Sequence, residues 1–283
     1  LGAAKVTGRV GDGWSLGVLE AVTAKETASY LDESGLAHKV TVEPAANYFV
    51  ARARRQISGG RTRFGTIVSA VNRDPGETEL QSVLHSSAYA GGLDFAHDSD
   101  DRIWLFTAAV AGSYVSGDSL AIRGTQRSSR RYFQRPDADH VEVDTSAESL
   151  TGYYVMGYAG KQAGNFTMRN GVGFISPGME VNDLGFHTNA DRILLDTHYQ
   201  WSGREPGRFL RSWSAAGSPD AVWNFAGDRT FANLNGMINV ELLNYWRAST
   251  RLQWDPYTDD DRLTRGGPIA RGPTAPLPPD PPT

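Results

Sequence analysis

Apolar and polar residues alternate with period two along most of the chain. In the stretch 246–255, Trp246, Ala248, Thr250, Leu252 and Trp254 fall on one face, and Arg247, Ser249, Arg251, Gln253 and Asp255 on the other. In 192–201, Ile193, Leu195, Thr197, Tyr199 and Trp201 alternate with Arg192, Leu194, Asp196, His198 and Gln200. Successive side chains of a strand point to opposite faces, so each stretch predicts a strand with one oily and one ionic surface. The same pattern predicts strands over 3–10, 13–23, 47–57, 61–72, 86–97, 102–115, 150–160, 165–175, 191–202, 208–216, 229–242 and 246–256. No helix-period segment of useful length stands out, and the predicted class is all-β.

These segments run to about 9–11 residues, the length of a tilted strand that crosses a bilayer. Short connections rich in Gly, Asp and Asn (11–13, 58–60, 98–101, 161–164, 203–207 and 243–245) alternate with long ones near 24–46, 73–85, 116–149, 176–190 and 217–228. Tight turns at one rim and long loops at the other are the organisation of an antiparallel up-and-down transmembrane β-barrel, here with about twelve strands and room for more in a larger barrel. Trp14, Phe49, Phe64, Trp104, Phe166, Trp201, Trp213, Trp246 and Trp254 sit near strand ends, as girdle aromatics do. The expected division is a barrel segment over 1–257 and a Pro-rich loop or disordered tail over 258–283. The opening residues, which run straight into a strand, read as a cut inside a longer protein.

Composition narrows the function classes. Twenty-eight Lys and Arg against 32 Asp and Glu leave a net charge of −4, which offers no electrostatic case for nucleic-acid binding. No cysteine is present, so disulfides, thiolate metal sites and cysteine nucleophiles are excluded. Mean hydropathy is −0.41, and no apolar run reaches the roughly 20 residues of a spanning helix.

Charged and amide residues at strand-centre parity must avoid lipid. Arg192, Asp196, His198, Gln200, Asn233, Asn235, Asn239, Arg247, Arg251 and Gln253 are therefore expected to line a polar lumen, whether open or filled. The connection 116–149 carries Arg127, Arg130, Arg131 and Arg135 followed by Asp137, Asp139, His140, Glu142 and Asp144. With Glu180 and Asp183 of 176–190, these could hold an anionic sugar or a hard cation such as calcium, although loop-internal ion pairing is the plainer expectation. No metal or cofactor motif is present. His198 with Asp196, and serines such as Ser212 and Ser249, could supply a hydrolase, but many such combinations arise by chance.

Several stretches carry a family resemblance: 5–24, 47–56, 69–74, 84–97, 131–144 and 176–186 are similar to a bacterial family of large outer-membrane proteins, the domain of unknown function numbered 5916. The resemblance implies a Gram-negative outer membrane, contact with its lipid, and a porin-like or glycan-related role; members usually carry a carbohydrate-binding domain like that of family nine. It assigns no catalytic residue, and that accessory domain is absent here. Three functions are therefore carried forward: an outer-membrane barrel that passes or binds glycans or small polar solutes, a barrel-scaffold hydrolase acting on carbohydrate or lipid, and a soluble all-β binding module. Oligomeric state is open.

Overall fold

A computed structural model describes residues 1–76 and 79–273. Its strands are β1 (Gly2–Val10), β2 (Trp14–Thr23), β3 (Glu26–Leu31), β4 (Ala37–Glu43), β5 (Ala45–Ile57), β6 (Thr62–Asp74), β7 (Ser87–Asp98) and β8 (Trp104–Ser116). After α1 (Ser119–Gln126), the one α-helix among the described residues, come β9 (Ser149–Lys161), β10 (Phe166–Ile175), β11 (Arg192–Gly203), β12 (Leu210–Trp223), β13 (Arg229–Leu242), β14 (Arg247–Trp254), β15 (Tyr257–Asp260) and β16 (Ala270–Pro273). Twelve of these form one antiparallel sheet in the order β1-β2-β5-β6-β7-β8-β9-β10-β11-β12-β13-β14, a meander from which only the β3–β4 hairpin is left out between β2 and β5. The meander and its twelve strands match the sequence pattern. The edge strands β1 and β14 are not paired with each other among the described residues, so the sheet is open along that line.

Register sorts the side chains into two faces. Ala3, Lys5, Thr7 and Arg9 of β1 share a face with Ser15, Gly17, Leu19 and Ala21 of β2 and with Tyr48, Val50, Arg52 and Arg54 of β5. The opposite face carries Val6, Val10, Leu16, Val18 and Val22, all exposed. The division continues across the sheet: on β8, Leu105, Thr107, Ala109, Ala111, Ser113 and Val115 lie on the first face, and Phe106, Val110 and Tyr114 project from the second. At the far edge Leu252 and Trp254 remain 68% and 61% exposed on the apolar face.

Aromatic rings gather at both ends of the apolar face. Near the short turns lie Trp14, Phe64 with Phe95 at 5.1 Å between ring centres, Phe166 with Trp201 at 4.7 Å, and Trp213. Near the long connections lie Phe49, Tyr89 stacked on Tyr114 at 6.3 Å, Tyr153, Phe174 and Trp254. Valine, leucine, alanine and glycine make up most of the space between, where Asn170 of β10 accepts a hydrogen bond from the Tyr199 hydroxyl.

The core lies at the long-connection end of the first face. Tyr48, Val71, Ala88, Val115 and Leu150 are direct register neighbours across five strands, and Ile122 of α1 packs on that row. Helix α1 starts where the Asp118 carboxylate accepts from the Leu120 N–H at 2.8 Å, a side-chain cap for an otherwise unpartnered donor. Its eight residues include Gly124 and Thr125, weak helix formers, so it forms through burial of Ala121 and Ile122 and escapes a periodicity reading.

Three expectations about connections are corrected. The 24–46 connection is itself a hairpin, β3–β4. The stretch 217–228 is not a long loop: β12 continues to Trp223 and turns back through 224–228, where Asn224 and Asp228 exchange hydrogen bonds. The Gly-Ser-Pro-Asp sequence at 217–220 reads as a turn but lies within a strand. The segment 258–283 is not a featureless tail over its described part, because β15 pairs with β16. Residues 274–283 lie outside the described residues.

Candidate functional site

The ionic face of the sheet and the connections folded over its end form the candidate site. All ten residues expected to line a lumen fall on this face by register. Arg169 donates to both oxygens of Asp196 at 2.8 and 3.0 Å, and Tyr158 lies beneath the Arg169 guanidinium at 5.8 Å. His198 Nδ1 meets Ser218 Oγ at 2.9 Å, not Ser212 or Ser249. Asn239 donates to Ser214 Oγ at 3.1 Å, Asn235 to Asn233, Asn233 to Asp255, and Gln253 to Asp255 at 2.7 Å. Arg52 pairs with Asp94 at 2.7 Å, Arg63 with Asp98 at 3.2 Å, and Arg247 with Glu241 at 3.3 Å.

Near the short turns of β11 to β14 this face opens into a polar cleft of about 470 Å³. Gln200, Ser212, Ser214, Asn239, Arg247 and Ser249 are among its lining residues, and Glu241 closes one side. Three of the ten predicted lumen residues, Gln200, Asn239 and Arg247, thus meet in one place. Ser212 and Ser249, which the sequence offered as possible hydrolase serines, join them together with Ser202 and Ser214, and no histidine is among the lining residues.

At the opposite end the connections 117–148 and 176–191 fold onto the ionic face as a cap. Close backbone approach makes this possible: a Cβ at Gly152 on β9 would overlap the Met179 backbone, and one at Gly178 would overlap the Thr151 carbonyl. The anchor is Arg131, whose Nη2 donates to Glu180 Oε2 at 2.8 Å and to the Met179 carbonyl at 2.7 Å. Its Nη1 donates to the Thr125 carbonyl at 2.8 Å. Burial works against the charge on Glu180, but the Arg131 charge and hydrogen bonds from Asn182 and Arg131 prevail and lower its pKa. Burial lowers the pKa of Arg131, against the opposing pull of Glu180.

A second buried group ties the cap to β6 and to the segment before β7. Asp183 accepts from Arg73 at 2.5 Å and meets His85 Nδ1 at 2.8 Å, while His85 Nε2 meets Thr125 Oγ1 at 2.7 Å. Burial opposes ionisation of Asp183, but the His85 and Arg73 contacts outweigh it and lower its pKa. His187, hydrogen-bonded through Asn182, has its pKa lowered chiefly by burial, against the pull of Glu180. A third group centres on Asp261: Arg192 donates to it through two nitrogens at 2.7 and 2.8 Å, and Arg135 Nη1 stands 3.7 Å away. Arg192 therefore sits at the buried start of β11 beneath the cap rather than at mid-strand.

The remaining loop candidates are more dispersed. His140 meets Asp191 at 2.8 Å, and Asp191 accepts the Phe225 N–H at 2.9 Å. Asp137 accepts from the Ile269 N–H, Asp139 is exposed beside His140, and Arg127 is exposed beyond α1. Glu180 and Asp183 spend their oxygens on arginine, histidine and amide donors rather than converging on one point. Among the described residues no three His, Asp or Glu side chains are grouped to hold a metal ion. Arg73, His85, Thr125, Asp191 and Asp261 escape a sequence reading because their partners lie tens of residues away, 110 for Arg73 and Asp183.

No curated protein and no solved structure matches this chain. Residues 1–264 match the profile of a family described as a domain of unknown function, DUF5916. The match spans every strand of the large sheet, and the chain belongs to that family.

Proposed function

We propose that this chain is the wall of an integral outer-membrane β-barrel in a Gram-negative envelope, with a polar interior that passes or binds small polar solutes, glycans among them, and a loop cap at one mouth. The observation that carries the reading is the division of twelve neighbouring strands into one apolar, exposed face with aromatic rims and one ionic face. A soluble sandwich packs the apolar face of each sheet against the other sheet and turns its polar face to water; here Leu195, Trp201, Leu252 and Trp254 of the apolar face are all exposed. Phe106 and Tyr114, at the two rims of β8, are eight positions apart. That is about 27 Å along a strand at roughly 3.4 Å per residue, close to the apolar band of about 25 Å in such barrels once strand tilt is included. In that setting β1 and β14 meet each other or further strands, since an open edge inside hydrocarbon leaves backbone groups unsatisfied.

Folding into lipid vesicles tests the reading. The expected results are heat-modifiable migration on detergent gels, quenching of Trp201 and Trp254 fluorescence by brominated acyl chains, and ion conductance across planar bilayers. A detergent-free monomer with unquenched tryptophans would overturn it.

Hydrolysis on a barrel scaffold is the second reading, favoured by the Asp183–His85–Thr125 line. With His85 Nδ1–H donating to the carboxylate, the neutral ring leaves Nε2 to accept from the Thr125 hydroxyl, the order of contacts a hydroxyl nucleophile requires. Turnover of phospholipid or glycosyl ester that disappears in Thr125→Val and His85→Asn would support it; turnover unchanged in both would dismiss it.

A further inference from the structure

The ion pairs of the ionic face leave a residue of positive charge in a particular place. Asp94, Asp98, Asp196 and Glu241 each have an arginine within 4 Å, and Asp220 accepts the Thr197 N–H. Lys5 and Arg9 on β1, Arg54 on β5 and Arg251 on β14 have no carboxylate partner among the described residues, and all four are exposed. Arg9 stands opposite Ser15, and Ser15 opposite Arg54, so the two arginines share one rung with a small hydroxyl between them. Two strand spacings put their backbones about 10 Å apart, and Lys5 follows Arg9 on the same face at about 13 Å along β1. No acid lies on this face of β1, β2 or β5.

We propose that this strip is an anion-binding track, taking solutes that carry several carboxylate or phosphate groups spaced along their length. The inference rests on the barrel reading for its location inside a lumen, but the track itself depends only on register and charge. Lys5 and Arg9 have no acid on this face of their own or the neighbouring strand, and Asp94, which lies on the rung of Arg54 beyond Gly65, is held by Arg52. Such cations attract anions over about 8 Å in physiological salt, and the long side chains of Arg9 and Arg54 reach a common anion from either side of Ser15. Exposure keeps the guanidinium and ammonium groups solvated and exchangeable, which suits passage better than retention.

The test uses the whole chain, wild type and the triple variants Lys5→Glu/Arg9→Glu/Arg54→Glu and Lys5→Gln/Arg9→Gln/Arg54→Gln, each checked for heat-modifiable migration. In planar bilayers under a KCl gradient the wild type is expected to prefer chloride, the Gln variant to lose most of that preference, and the Glu variant to prefer potassium. Tripolyphosphate and trigalacturonate serve as phosphate and carboxylate probes, with neutral maltotriose as control. Either anion is expected to block current or bind the detergent-solubilised protein at least tenfold more weakly after substitution, and maltotriose is expected to show no change. Wild-type cation preference, or variants with unaltered selectivity and probe affinity, would overturn the track. Absence of current together with charge-dependent probe binding would overturn the pore and leave the track standing; absence of both would overturn the two together.

Discussion

Arg131 and Glu180 lie 49 residues apart in sequence and 2.8 Å apart in the fold, with side chains 0% and 3% exposed. Taking both charges out of water is costly, and the pair is tolerated because further donors and acceptors surround it: Thr125 and Met179 carbonyls for Arg131, Asn182 for Glu180. Removing one partner strands the other. Arg131→Met is expected to cost the cap about 3–5 kcal/mol, and the double replacement Arg131→Met/Glu180→Leu to recover much of it. Limited proteolysis within 117–148 reads this directly; equal sensitivity of the single and double variants would mean that the pair does not hold the cap.

The same groups set a pH dependence. Glu180 and Asp183 have folded pKa values below their ordinary ones, so their contribution is complete above about pH 4–5 and is lost as pH falls through the lowered values. His187 is also lowered, by burial; its contribution is complete above about 6.5, where the unfolded ring is neutral, and fades as pH drops below that. Both signs point one way: the cap loosens in acid. Proteolytic protection of 117–148 is expected to be full at pH 8, to begin falling below about pH 6.5, and to fall steeply below pH 4. His187→Gln is expected to remove the upper step alone. Protection that rises on acidification would contradict the assignment.

Period-two alternation was enough to place twelve strands and the face of every predicted lumen residue, because register neighbours inherit the parity of their own strands. His198, Asn239 and Arg251 needed no tertiary information to be oriented. The cap was not legible in the same way. Arg131, Arg135 and His140 stood out as a charged run, but their partners Glu180, Asp261 and Asp191 come from other connections, and no local spacing records such pairings. Helix α1 and the β3–β4 hairpin were hidden for a related reason: each is short and lies between longer signals.

Neighbouring positions at the centre of β8 separate a membrane wall from a soluble sheet. Val110 projects from the apolar face, whereas Ala109 faces the ionic side opposite Asp94. Val110→Arg is expected to destabilise the protein folded in vesicles by about 2–4 kcal/mol, the cost of a midplane arginine on the lipid side. Ala109→Arg gains Asp94 as a neighbour and is expected to change stability far less. Urea titrations in lipid measure both, and matching losses would argue that neither face meets hydrocarbon.

Pro219 stands within β12, a strand with neighbours on both sides, where a proline has no N–H to give a ladder. Paired contacts between β11 and β12 lapse there, from Leu195 opposite Ala221 to Tyr199 opposite Gly217, although the register on either side of the gap is the same. Thr197, almost fully buried, repairs the gap: its N–H donates to Asp220 Oδ1 at 2.9 Å, and its hydroxyl donates to the Pro219 carbonyl at 2.5 Å. Asp220→Ala removes the acceptor and leaves a buried N–H without a partner, a loss of about 1–3 kcal/mol. Asp220→Asn keeps a side-chain oxygen in place and is expected to lose less. Amide hydrogen exchange at Thr197 distinguishes a local repair from a general effect. The Ala variant is expected to accelerate exchange at Thr197 and its neighbours on β11 while leaving β5 and β6 unchanged, and exchange that rises uniformly across the sheet would show that Asp220 supports the strand in some other way.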